Sequence, residues 1–429
     1  MAMMNADLII HSSPQLLTLA GGRQRGATFG DLKIIEDGAL AIGGENILGV
    51  GKSQHIRRLF KAQHEIDARE SILMPGFVDP HTHLVWAGDR AAEFEQRIAG
   101  ASYMEIMESG GGIMSTVLKT RAASIEEMIA SAKPRIMRML RYGTTTAEAK
   151  SGYGLDTATE LKILEAITRL QKESPLELAP TFLGAHAIPN EFSDDPQAYT
   201  DLVTQEMLPA VHAWWQEHFP GEILPFNDVF CEEGAFTLAQ SRQIMQAALQ
   251  LEFPLKIHAD EFASLGATQL AVELAAVSAD HLVKTPPDEI QALGKSRTIA
   301  VSLPCTPFGL SEHAYTPAGA ILEAGGCLAI ATDLNPGTAW CESMQFSIAL
   351  ACRYLRITPA QAIVAATINA AAAIAREDRI GSFEEGKQAD ALLLDTNDYR
   401  HLGYRFGTNL VTTVIKKGEV VISNDDHLR

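Results

Sequence analysis

The fold this sequence predicts is α/β: a (β/α)₈ TIM-like barrel with a small β-sandwich domain formed by both chain termini. Three observations predict it. Between residues 74 and 379, short apolar runs alternate with helical stretches of roughly 10–20 residues, the pattern of βαβ units and a parallel sheet. At both ends the period switches to the alternation of half-buried antiparallel strands. The 429 residues also exceed one compact domain, yet suit a barrel of roughly 250–300 residues with an appendage.

Residues 1–73 contain DLIIHSS, LKIIEDGALAIGGENILGVG and EIDARESILMPG, apolar positions alternating between Gly, Asn and Asp. Residues 380–429 read alike: GKQADALLLDTND, then TNLVTTVIKKGEVVISNDD with Lys417–Gly418 as a hairpin turn. Both ends therefore build one small β domain, with boundaries near Met74–Pro75 and Arg379–Gly381. The barrel strands are FVDPHTH, TTTAEAK, ELAPTFLGAH, DVFCEEG, LKIHADE, VSADHL, TIAVSL and CLAIATDLN, the eight that close a barrel. Ser124 with Glu127 and Thr157 with Glu160 read as capping boxes, and Thr358–Pro359 as an N-cap followed by proline. Pro134 is expected to kink or break its helix.

An apolar share of 46% with 21% charged residues is the mix of a soluble globular protein. No apolar run approaches the ~20 residues that span a bilayer. The start MAMMNADLIIHSSPQ lacks the pattern of a secretory leader. Five scattered cysteines (Cys231, Cys305, Cys327, Cys341, Cys352) without a CxxC pair predict free thiols and a cytoplasmic location. A net charge of −18 argues against nucleic acid and anionic membranes as partners. An anionic substrate then needs a local cation to capture it.

His81-Thr82-His83 follows the first apolar run. Residues two apart on a strand share a face, so both imidazoles point into the barrel mouth and can chelate Zn²⁺ or Fe²⁺. Alone, the pair equally describes a polar strand end with two solvated histidines. His258 ends the fifth strand, His281 the sixth and Asp333 closes the eighth. Four ligand-type positions at the strand ends, where barrel active sites form, favour a metal centre.

These features resemble the amidohydrolase superfamily over nearly the whole chain. The PGFVDPHTH entry, the strand-five and strand-six histidines, the strand-eight aspartate and the two-ended β domain all match. Its two-metal branch uses a carboxylated lysine on strand four. DVFCEEG has none, and Lys150 lies after strand two, so the resemblance implies the mononuclear branch. That implies one divalent or trivalent transition metal ion per subunit, zinc or iron, on His81, His83, His258 and Asp333. Glu261, three residues past His258, is then the proton shuttle, with the alternative that it caps the next helix beside Ser264. His281 stabilises an oxyanion, and Asp333 also accepts a proton.

The stretches HTHLVWAGDRAAEFEQRIAGASYMEI, SGGGIMSTV, TTTAEAKSGYGL, FLGAHAIP, FCEEGAF, KIHADEF and ATDLNPGTAW narrow the resemblance within the superfamily. They imply a small anionic imidazolone substrate, 4-imidazolone-5-propanoate, opened by water to N-formimidoyl-L-glutamate. Arg90 suits the propanoate as a bidentate partner, or else pairs with Asp89 or Glu93. Tyr153 and His186 face the ring. Asn335, Gly337 and Thr338 offer an amide, a backbone approach and a hydroxyl, or simply form a tight turn. Tyr103 also contacts substrate, and Gly110-Gly111-Gly112 is a lid hinge. A purine or pyrimidine deaminase shares the metal set, but its neutral substrate has no carboxylate for Arg90. A non-catalytic barrel scaffold would typically have lost ligands. The resemblance and Trp214–Trp215 point to a homodimer, although such a pair also packs within its own chain.

Overall fold

The computed structural model describes residues 3–100 and 111–423. Its centre is an eight-stranded parallel sheet in strict chain order. The strands are Phe77–Asp79, Thr144–Lys150, Glu177–Ala185, Phe226–Cys231, Lys256–Ala259, Ser278–His281, Ile299–Ser302 and Cys327–Ile330. They are the first to eighth barrel strands; seven fall within the runs the sequence predicts, and the fourth overlaps its run but begins two residues earlier, at Phe226.

The ring closes in an unusual way. The first strand has three residues and forms no ladder with the eighth. Closure comes beyond both strands, where the His83 N–H donates to the Leu334 carbonyl (2.9 Å) and the Asp333 N–H to the His81 carbonyl (3.1 Å). Below that bridge a side chain fills the gap: Asp79 accepts from the Thr332 amide (3.1 Å) and hydroxyl (2.5 Å). The backbone that seals the barrel is thus the backbone that carries three of the expected metal ligands.

The terminal segments form two further sheets. One is four-stranded, from Asn46–Lys52, Gly38–Gly43, Met4–Ser13 and Phe60–Asp67; the other is six-stranded and takes strands from both ends of the chain. Leu8, Ile10, Leu40 and Ile42 of the first pack with Leu73, Leu393 and Ile415 of the second, making a sandwich. Ile72, Met74, Leu392, Leu394 and Val414 point the opposite way, into the main core with Phe77 and Leu140. The central strands of the six-stranded sheet, Ile72–Pro75, Ala391–Leu394 and Val411–Lys416, are buried on both faces, so their period-two alternation sorts apolar residues between two cores.

Two local expectations change. The helix Ile125–Arg141 runs through Pro134 unbroken, because seven buried positions along its face outweigh one lost backbone bond. Helix Thr157–Glu173 is capped by Asp156, not Thr157, and Glu160 serves another purpose described below. The Ser124 and Thr358 caps form as expected. Trp215 is buried, and Trp214 is partly buried and packs against the core of its own chain. All five cysteines are free thiols. Among the described residues no helix is long and apolar enough to cross a membrane.

Glu177, at the start of the third strand, ties barrel to sandwich. It meets Lys416 (3.1 Å), Arg376 (2.8 Å) and Arg379 (2.5 Å), and Gln388 also donates to it. Burial opposes its charge, but Lys416 and the two arginines outweigh that and hold its carboxyl well below the usual range. Replacing Glu177 by Ala leaves the buried Lys416 with Asp390 (2.7 Å) but removes the shared partner of Arg376 and Arg379; it should lower stability by about 2 kcal/mol, read as a reduced urea midpoint at unchanged m-value. A depressed carboxyl stabilises above its unfolded pKa of ~4.3, so the difference between wild type and variant should shrink as pH falls below that value.

Candidate metal centre

The barrel strands deliver His81, His83, His258, His281 and Asp333 to one buried point at their C-terminal ends. Ring centroids lie 4.5 Å apart for His81–His258, 5.3 Å for His81–His83 and 5.2 Å for His258–His281. Potential ligand nitrogens of His81, His83 and His258 fall within 4.8 Å of one another. Asp333 Oδ1 stands 3.5 Å from His81 Nε2 and 3.7 Å from His83 Nε2. His281 (φ 77°) and Asp333 (φ 56°) both occupy left-handed backbone, which a non-glycine residue adopts only when its surroundings impose it.

A metal ion fits this donor set. His81 Nε2, His83 Nδ1 and His258 Nε2 are buried without a hydrogen-bond partner among the described residues. Unpaired buried polar atoms are costly, and a cation ringed by lone pairs removes that cost. The imidazoles are in the ligating form: burial, then mutual repulsion and Lys150, push His81, His83 and His281 well below their usual pKa. His81 Nδ1 lies 2.7 Å from Asp280 Oδ2, which holds the proton on that nitrogen and frees Nε2. His258 Nδ1 lies 3.0 Å from Asp228 Oδ2. Thr306 donates to Asp333 Oδ2 (2.5 Å), leaving Oδ1 toward the histidines.

Beneath this point the barrel is filled by charge. Lys150 lies 2.7 Å from Asp228 and 2.9 Å from Glu148, and Lys256 lies 2.9 Å from Glu148, all fully buried. Burial works against the Lys150 charge, but Asp228, Glu148 and Asp280 outweigh it. His81, Glu148 and Asp280 are also close enough to hold an ion. The two ammonium groups already neutralise that cluster. Lys150 therefore braces Asp228, and through it His258. None of Glu148, Asp228, Lys256, Asp280 or Thr306 was expected from sequence. The available signal was charge at period two inside short apolar strands, as in Glu148–Lys150 and Lys256–His258.

On one side of the centre stand Tyr153 and His186. His186 stacks on His83 at 4.8 Å, and Tyr153 lies 5.3 Å from His186. Glu160, read from sequence as part of a capping box, instead accepts from the amides of Gly152 (2.9 Å), Gly154 (2.7 Å) and Leu155 (2.9 Å), fixing the loop that carries Tyr153. Gly152 has φ 105°, and a Cβ there would lie 2.9 Å from His186 Nδ1. Arg90 is brought to the same wall. Its Nε donates to Glu93 (2.8 Å), as the surface alternative foresaw, but the pair is largely buried, and a Cβ on Gly337 would lie 2.3 Å from Arg90 Nη1. Asn335 does form a turn: its Oδ1 accepts from the Gly337 and Thr338 amides (2.8 Å each). Arg97, unnoticed in the sequence, donates to the Gly337 carbonyl (3.1 Å). Tyr103 and Gly110 lie outside the described residues.

On the other side a cavity of about 160 Å³ is lined by Glu261, His281, Thr306 and Lys284. Glu261 Oε1 is 3.6 Å from His281 Nδ1. It caps no helix, since the next one begins after Gly266.

The Asp280–His81 contact predicts that Asp280→Asn lowers metal affinity by roughly 10–100-fold while the fold survives. Competition with a chromophoric chelator measures this, and an unchanged affinity would refute the orienting role.

Comparison with known proteins agrees with the geometry. The amidohydrolase family model matches residues 72–421. An imidazolonepropionase of Herpetosiphon aurantiacus is 53% identical, covering 99% of each chain. One of Chloroflexus aggregans is 49% identical over 98% of this chain and 99% of its own. In fold, the chain resembles a zinc-bound adenosine deaminase from Xanthomonas campestris (TM-score 0.72, 20% identity, 98% and 94% coverage). It also resembles a 5-methylcytosine deaminase from Klebsiella pneumoniae (TM-score 0.71, 18% identity, 98% and 99% coverage). The chain belongs to the amidohydrolase family, and within it groups with the imidazolonepropionases.

Proposed function

We propose that this protein hydrolyses the cyclic amide of 4-imidazolone-5-propanoate, opening the ring to N-formimidoyl-L-glutamate. Full-length similarity to imidazolonepropionases supports the reaction. The observation that carries the substrate reading is Arg90, whose Nη1 edge borders Gly337 on the wall that also bears Tyr153. A neutral nucleobase has no carboxylate to pair with that guanidinium, which disfavours a deaminase.

His81, His83, His258 and Asp333 would hold a zinc or iron ion, since three imidazole nitrogens and one carboxylate oxygen suit either. Such an ion, when bound, acts as a Lewis acid on the ring carbonyl and makes water a stronger nucleophile near neutral pH. The remaining chemistry falls to the chain's own side chains. Arg90 binds the propanoate, and Tyr153 and His186 line the ring. Asn335 shapes the turn that presents Gly337 and Thr338. Tyr103 remains a candidate contact. Glu261 takes the proton released as water attacks and delivers it to the departing ring nitrogen. Burial, then the Asp333 and Glu232 carboxylates, raise its proton affinity, which suits a group that must carry a proton between two partners. His281 donates an N–H to the developing oxyanion from the wall it shares with Glu261.

We assign residues 74–379 to the catalytic barrel and residues 1–73 with 380–429 to the supporting β domain, a division supported by the sheet that draws on both ends. The free thiols support a cytoplasmic location.

Loss of imidazolone absorbance tests the reaction, and ammonia release from guanine or cytosine instead would overturn it. Glu261→Gln should lower kcat by roughly 10²–10⁴ with little change in KM. Arg90→Lys and Gly337→Ala should act mainly on KM, the first by losing the bidentate fork and the second by displacing it. Equal KM values across wild type and both variants would remove Arg90 from the substrate site.

A further inference from the structure

Glu232 follows the fourth barrel strand and is buried, at 3% exposure, with no cationic side chain in ion-pair range among the described residues. Three amides satisfy it instead. Phe262 N–H donates to Oε2 (2.8 Å), Ala263 N–H to Oε1 (3.0 Å), and Glu233 N–H to Oε1 (2.9 Å). Phe262 and Ala263 directly follow Glu261. On the other flank Asp260 takes left-handed backbone (φ 55°), and its Oδ2 accepts from Thr268 (2.6 Å) and Thr285 (2.9 Å). Glu261 therefore sits between two anchors. Among the described residues its own carboxyl accepts no hydrogen bond, and its ion-pair contact is His281 at 3.6 Å, so its aim is set through the backbone on either side. Amide bonds to an ionised carboxylate are among the stronger hydrogen bonds, and both oxygens of Glu232 are used.

We infer that Glu232 is a positioning residue for the proton transfer: by pinning the Phe262 and Ala263 amides it aims the Glu261 carboxyl at the space shared with His281 and Asp333. The inference rests on Glu261 being the proton carrier. Glu232→Gln keeps the volume but turns an NH₂ group toward an amide that needs an acceptor. Glu232→Asp keeps both acceptor oxygens, one methylene short.

The test compares metal-loaded wild type, E232Q, E232D, E261Q and the E232Q/E261Q double variant by kcat, KM, metal content and melting temperature. E232Q is expected to lose about 10–100-fold in kcat, as a roughly 1 Å misplacement does, with KM and metal content held. E232D is expected to fall between E232Q and wild type, and the double variant to be no slower than E261Q, since a misaimed carboxyl that is already gone has nothing more to lose. Should E232Q fail to fold, E232D alone carries the test through a reduced kcat at constant KM. A slow E261Q beside a wild-type E232Q overturns the inference while leaving the proton carrier in place. A wild-type rate for E261Q overturns the carrier and the inference together. Multiplicative losses in the double variant, or a loss in a folded E232Q that tracks lost metal, also overturn it.

Discussion

A cluster of buried imidazole nitrogens without protein partners governs this structure. Histidines packed ring against ring around one aspartate leave lone pairs facing each other, and a cation among them relieves that arrangement. The rest of the barrel is built to hold the arrangement still. Asp280 and Asp228 stand behind His81 and His258, and Lys150, Lys256 and Glu148 stand behind those carboxylates. In this barrel the interior below the site is an ion network, where a conventional barrel has branched apolar layers. Such a network is stable only because every charge in it has a partner.

The same requirement explains how the barrel closes. Among the described residues, backbone bonds join the ends of the ring just beyond the first and eighth strands, at His81–His83 and Asp333–Leu334, so sealing the sheet and bringing the ligands together are one event. Asp79 completes the seam lower down by accepting from Thr332. The left-handed backbone at Asp333 is imposed by that junction, and Thr306 then selects which carboxylate oxygen faces the histidines.

Loops above the site are fixed by buried carboxylates that accept backbone amides. Glu160 holds the Tyr153 loop and Glu232 holds the segment after Glu261, while the Asn335 side chain folds its own turn. Each supplies strong acceptors to amides that no sheet or helix would otherwise satisfy. The result is a site with two distinct walls: cationic and aromatic on the Arg90–Tyr153 side, and proton-handling on the Glu261–His281 side.

Much of this was legible in one dimension. Eight strand runs, the two-ended β domain and the placement of His81, His83, His258, His281 and Asp333 at strand ends follow from period and position alone, because a strand's alternation dictates which side chains share a face. Other features were misread for a physical reason. Thr157 and Glu160 have the spacing of a capping box, but whether Glu160 turns back to its helix or outward to Gly152–Leu155 depends on where that loop lies. Pro134 breaks an isolated helix but not one with a buried face. Glu232 and Arg97 look like ordinary surface charges until the chain brings amides and a carbonyl to them. The sequence by itself determined the architecture and the donor set, since both rest on local period and residue chemistry. Only the tertiary structure decided which buried charges support those donors and that Arg90 borders Gly337, because these depend on contacts between segments remote in sequence.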